Sequence, residues 1–295
     1  MEYKLLAKLF NSSELKRIAA GDLSTIDSIR KAFSEFHSHV TVSEFYDEAY
    51  KLLLKNYRNE YVVKNEIANK ILLGTHSMNT TSMMSEVRTG KSIADCVVLN
   101  GHSTCYEIKT EMDSLTRLSN QLDSYLMAYD KTYVVTHKSH LKHILSIHAE
   151  SPTFGVLELT KRNNFKTVIE APISDDFDFD MTFDTLRKPE YMFIAEQVLG
   201  SIPEMPNTKI YNYCKEAYKS LPAHKANELF KKSLKLFRAN DHNFINSLPK
   251  SLKNIGISYQ FSRQEKNKLV CSLMNNSSLS SGDYNVLSLF EGQAS

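Results

Sequence analysis

At 295 residues, 42 % of them apolar and 24 % charged, the chain can fill one large domain or two modest ones. That make-up excludes a disordered chain, and no run reaches the roughly 18 apolar residues that a membrane span requires. A net charge of +2 does not mark a nucleic-acid binder in bulk, yet it allows a local basic face beside acidic ligands.

The N-terminal MEYKLLAKLFNSSELKR has charges inside its short apolar stretch and does not read as a signal peptide. The four cysteines, Cys96, Cys105, Cys214 and Cys271, make no CxxC pair, and Cys96 and Cys105 read as small core residues. A reducing cytoplasm and no membrane partner are expected.

The first sixty residues predict helices. SSELKRIAAGD has Ser12 or Ser13 as a cap and Gly21 as a stop, and Ile26, Ile29, Phe33 and Phe36 follow at helical spacing. Thr41 and Glu44 form a capping box ahead of Phe45, Tyr46, Tyr50 and Leu53. YVVKNEIANKILLG is a further helix that closes at Gly74 and carries Glu66. From Glu86 the period changes to strands, SEVRTGKSIADCVVL and then STCYEIKT, with Asn100-Gly101 as a hairpin signal between the last two. SLTRLSNQLDSYLMAYD predicts a helix capped by Asp113 or Ser114, KTYVVTH a buried strand, and SHLKHILSIHAE another helix. FGVLELT and FKTVIEA, joined by KRNN, predict a second hairpin. Beyond Pro172 an acidic stretch turns helical, and residues 208–270 read as helix throughout before a polar, loose tail, NNSSLSSGDYNVLSLFEGQAS. The order strand, strand, strand, helix, strand implies an α/β fold around a mixed sheet.

The chemistry concentrates in ADCVVLNGHSTCYEIKT. Alternate strand residues share a face, so Glu107 and Lys109 point one way and Ile108 the other. Asp95 joins them if the loop is Asn100, Gly101 and His102, which puts Leu99 across from Ser103 and Asp95 across from Glu107. A two-residue Asn-Gly loop would put Asp95 on the other face unless a bulge restored the register. Two carboxylates paired across strands repel, and a divalent cation with a taste for oxygen ligands removes that repulsion. Lys109 can stabilise a phosphate or orient an attacking water, which completes a site for metal-assisted phosphodiester hydrolysis. Charges on an edge hairpin that merely face water are the plainer alternative. One loop later Arg117, Gln121 and Tyr125, spaced four and four, lie on one helical stripe.

Asp95, Glu107-Ile108-Lys109 and Gln121-Leu-Asp-Ser-Tyr125 together resemble the PD-(D/E)XK nuclease superfamily, within it a bacterial branch with a RecB-like QxxxY motif. Residue 94 is Ala where the superfamily's name has Pro. The resemblance implies a restriction-endonuclease-like core with a mixed central sheet flanked by helices, over 61–190. An N-terminal helical segment, 1–60, and a C-terminal helical region with a flexible tail, 191–295, would flank it. By the same resemblance Asp95 and Glu107 would be metal ligands, joined by the Ile108 carbonyl and by Glu66 from the preceding helix, with Glu86 a weaker candidate. Lys109 would assist the nucleophilic water, and Gln121 and Tyr125 would support the site or touch the nucleic-acid backbone. Mg²⁺ or Mn²⁺ is the implied cofactor.

Other signals carry less. Only His140 and His143 among the histidines near residue 140 share a helical face, and no further ligand completes a zinc set. DDFDFDMTFD lacks the glycine and the closing glutamate of a calcium loop. In LFKKSLKLFRAN, Lys231, Lys235 and Arg238 fall on one helical side and, with Arg117, are the candidates for phosphate binding. The expected function is a metal-dependent nuclease, with DNA favoured over RNA, in a bacterial defence or mobile-element setting. A catalytically silent nucleic-acid-binding or regulatory protein on the same fold is the alternative, and the C-terminal helices could recruit a protein partner.

Overall fold

The computed structural model describes residues 2–33, 36, 41–75 and 81–275; the polar tail expected to be loose lies outside them from residue 276 on. Four helices come first, α1 (Glu2–Ala7), α2 (Ser12–Ala19), α3 (Ser24–Ala32) and α4 (Val42–Asn56). The capping box at the start of α4 is present: the Glu44 amide donates to Thr41 Oγ1, and the Thr41 amide donates back to Glu44. Helix α5 (Glu60–Ile67) continues through a π turn (Ala68–Leu72) into a last turn, α6 (Leu73–Thr75).

The described strands form one mixed sheet, ordered β1-β2-β3-β4-β5-β6 as in the chain. Strands β1 (Ser82–Thr89), β2 (Ser92–Asn100) and β3 (His102–Lys109) pair antiparallel in succession. Helix α7 (Leu118–Leu126) crosses to β4 (Lys131–Thr136), parallel to β3, and α8 (Lys138–Glu150) to β5 (Gly155–Leu159), parallel to β4. β6 (Phe165–Ile169) closes the sheet antiparallel. Strand β1 begins at Ser82, four residues before the change of period at Glu86, and SEVRTGKSIADCVVL splits at a two-residue turn, Gly90-Lys91. Thr89 there faces Ser92, and Gly90 takes a φ of 57°.

Pleating sorts the side chains into two faces. Cys96, Val98, Tyr106 and Ile108 pack against Val63, Ile67 and Ala68 on the α5 side. Val97, Leu99 and Cys105 pack with Tyr125 of α7 and with the helices that follow the sheet. Those are α9 (Phe179–Thr185), α10 (Lys188–Leu199), α11 (Asn207–Lys219) and α12 (Ala223–Phe237). The last three, α13 (His242–Ser247), α14 (Lys253–Ser258) and α15 (Arg263–Met274), turn away from that face. Their Phe244, Ile255 and Leu269 share a core with Leu9, Phe45 and Tyr46 of the N-terminal helices. The helices after residue 190 therefore divide between two cores.

A parallel pair has no tight turn to set its register. Here Ser103 and Asp130 fix it reciprocally: the Ser103 amide donates to Asp130 Oδ2 at 2.7 Å, and the Asp130 amide donates to Ser103 Oγ at 2.9 Å. Among the described residues no helix is long and apolar enough to cross a membrane.

Candidate functional site

The hairpin places the acids. Leu99 faces Ser103 and Asn100 faces His102 around Gly101, whose φ is 72°. This is the three-residue loop, and the same register, carried on beyond Cys96↔Tyr106, sets Asp95 across from Glu107. The ladder opens there, and Asp95 Oδ2 accepts instead from the Ile108 amide at 2.7 Å. On the other side the β1–β2 pairing steps from Ser85↔Cys96 to Val87↔Ala94, leaving Glu86 opposite Asp95 with a φ of 54°. Asp95 stands where both ladders are interrupted.

Glu107, 1 % exposed, sits beside Lys109 on the α7 face. The Lys109 ammonium donates to Glu107 Oε1 at 2.6 Å and to Gln121 Oε1 at 2.9 Å. The Tyr125 hydroxyl donates to Glu107 Oε2 at 2.9 Å and lies 2.8 Å from the Ile93 carbonyl oxygen. Gln121 and Tyr125, one turn apart on α7, thus take hold of the two ends of the Glu107–Lys109 pair. Burial raises the Glu107 carboxyl above its ordinary range, against the pull of Lys109 and Tyr125. Burial and then the Glu107 charge push the Asp95 carboxyl up to about 8, against the Ile108 amide and Lys64.

A second set of acids meets Asp95 from the far side. Glu60, at the start of α5, and Glu86 each offer an oxygen that, with one from Asp95, lies within a 4.8 Å group. The buried Lys64 ammonium enters this group, 2.5 Å from Glu60 and in contact with Glu86. Burial alone would depress that ammonium, but the acids, Glu60 foremost, hold it above its ordinary range. An all-oxygen donor set fits Mg²⁺ or Mn²⁺, and the ammonium stands where a divalent cation would compete for the same oxygens.

Glu66 is not in this group. It accepts from the Tyr50 hydroxyl at 2.8 Å and pairs with Lys70 at 2.9 Å. Six residues separate it from Glu60, about 240° around a helix, so one α5 cannot aim both at Asp95. Glu60, at the helix start behind the Asn59 cap, is the α5 acid that lies beside Asp95.

The candidates for phosphate binding separate. Arg117 is exposed at the start of α7 and Lys235 on α12, but Lys231 and Arg238 serve the fold. Lys231 donates to Asp130 Oδ2 at 2.8 Å, alongside Asn227, and draws the Asp130 carboxyl below its usual range against the opposing effect of burial. Arg238 forks onto both oxygens of Glu190, at 2.6 and 2.7 Å, and that carboxylate is 1 % exposed. The α12 side that reads as basic in sequence is thus partly neutralised by acids far away in the chain. Lys231→Ala should accordingly cost about 2 kcal/mol of stability, because it strips a buried carboxylate of its ion pair. Urea denaturation would register the loss.

A search of curated proteins and of solved structures finds no match. A family model, described as bacteriophage P4 protein cII, matches residues 53–258, from the end of α4 through the whole sheet to the end of α14. Both acid groups and the Lys109 network fall inside that span. With more than half its length covered, the chain belongs to the bacteriophage P4 protein cII family.

Proposed function

We propose that the protein is a metal-dependent nuclease that hydrolyses phosphodiester bonds, with DNA the favoured substrate. One observation carries the reading: Lys109, Glu107, Gln121 and Tyr125 close into a single hydrogen-bonded chain beside Asp95. A core helix needs no such chain. The order α5, three antiparallel strands, α7 and a parallel β4 supports a restriction-endonuclease-like core. The family's name, that of a bacteriophage protein, sits with a mobile-element setting.

The residues divide the work. Asp95, Glu60 and Glu86, whose oxygens lie together, would hold the cation, which when bound supplies positive charge at the attacked phosphate. Glu107, outside that group and bonded to Lys109 and Tyr125, and the Ile108 carbonyl would flank it. Lys109 orients the attacking water and offsets charge on the phosphate. Gln121 and Tyr125 are positioning residues, since each touches a catalytic side chain and holds its direction. A catalytically silent nucleic-acid-binding module is favoured by one feature, the Lys64 ammonium that already neutralises Glu60 and Glu86. Supercoiled, linear and single-stranded DNA and RNA, each incubated with and without Mg²⁺ or Mn²⁺, separate the two readings. Cation-dependent cleavage, absent in Lys109→Ala, is the expected result. Binding without cleavage of any of the four would refute the nuclease and leave the silent module.

A further inference from the structure

A pocket of about 510 Å³ opens at the C-terminal ends of the parallel strands β3, β4 and β5, the end of an α/β sheet where ligands collect. Lys109 lines it, so the pocket adjoins the site already described. Its other walls come from the end of α4, the Tyr57-Arg58 link and the β5–β6 turn.

Two properties combine here. The floor is apolar: Val63, Val135 and Leu159 are buried, and Met112, 54 % exposed, stands at the wall. The rim is cationic, with Lys51 and Lys55 one turn apart on α4 and Lys161 in the turn opposite, all exposed. Among the described residues none of these three lysines has a carboxylate within ion-pairing distance, and Glu111 is the one acid in the lining. Arg58 bonds the Leu54, Thr160 and Lys161 carbonyl oxygens at 2.7–2.9 Å. Those acceptors are neutral, so the guanidinium ties the two sides together without losing its charge to them.

An apolar floor under an anion-seeking rim suits a nucleotide, which is flat and apolar at the base and charged at the phosphate. The volume lies in the range of small-molecule sites and far below what a duplex needs. A base still paired and stacked could enter only by flipping, at a cost of a few kcal/mol. We infer that the pocket takes one nucleotide unit of a single strand, its base on the Val63, Val135 and Leu159 floor and its phosphate at Lys51, Lys55 and Lys161. The inference builds on the proposed hydrolysis and names its substrate class: single strands or unpaired strand ends.

The test is binding in a chelator, where no turnover occurs. A fluorescent thymidine decamer should bind at least tenfold tighter than a blunt duplex of the same length or an abasic decamer. The triple variant Lys51→Ala, Lys55→Ala, Lys161→Ala, all on the surface, should lose tenfold or more. It should also lower the slope of log affinity on log salt by about 0.7, the share of one phosphate on a single strand. Equal affinity for duplex or abasic strand, or an unchanged triple variant, overturns the inference. Strand binding through the three lysines without any cleavage would refute the hydrolysis and keep the pocket; cleavage of single strands unaltered in the triple variant would do the reverse.

Discussion

Lys109→Ala is expected to slow phosphodiester cleavage by about 10²–10⁴-fold, the range lost when a charge-stabilising or proton-handling group leaves a reacting centre. The ammonium is 7 % exposed and spends its donors on Glu107 and Gln121, so no neighbouring water can take its place without disturbing both. Removing it leaves Glu107 with the Tyr125 hydroxyl. Since burial already raises the Glu107 carboxyl, the acid can take up a proton, and the fold should survive the substitution. Initial rates on supercoiled DNA with Mn²⁺, beside a circular dichroism spectrum, measure both halves of the statement. A folded variant with activity within twofold of the parent would move the chemistry elsewhere.

The second large effect is on stability against pH. In the folded protein the Asp95 carboxyl titrates near 8 against a reference of 3.8. Between those values the native state keeps a proton that the unfolded chain has released, so stability must fall as pH rises through the window and level off above it. At 1.36 kcal/mol per pK unit the ceiling is on the order of 6 kcal/mol, and partial solvent access brings the expected loss to about 2–3 kcal/mol. Asp95→Asn removes the ionisation and should flatten most of the slope, leaving the smaller contribution of Glu107. Millimolar Mg²⁺ should flatten the parent's slope by stabilising the ionised acid and should leave the variant unchanged. Urea denaturation at pH 5, 6, 7 and 8, with cation and with chelator, reads all four combinations. Parallel profiles for parent and variant would mean that the Asp95 environment differs from the one described.

Local chemistry was legible in the sequence wherever neighbours in the chain decide the outcome. The Asn100-Gly101-His102 loop fixes the pairing of its strands, and with it the opposition of Asp95 and Glu107, because hairpin register follows from loop length. The Thr41–Glu44 box and the Gln121–Tyr125 stripe depend on spacing alone, and both are present. What stayed hidden depends on distant partners. Nothing near Arg238 announces Glu190, 48 residues earlier, nor does anything near Lys231 announce Asp130, 101 residues earlier. The resemblance implies an acid on the helix before the sheet, and Glu66 stands mid-helix there, whereas Glu60 is brought to Asp95 by the entry of the helix. Lys51 and Lys55 carry the spacing of a common solvated face, and only the turn that brings Lys161 opposite gives them a concave shape to line.

The left-handed backbone at Glu86 has a price in folding free energy. A side chain held in that region costs about 1 kcal/mol that glycine would escape. A Glu86→Gly chain would gain that margin and lose one of the two acids grouped with Asp95. Hardening this protein against heat at residue 86 thus takes an acid from the group on which the proposed cation site draws.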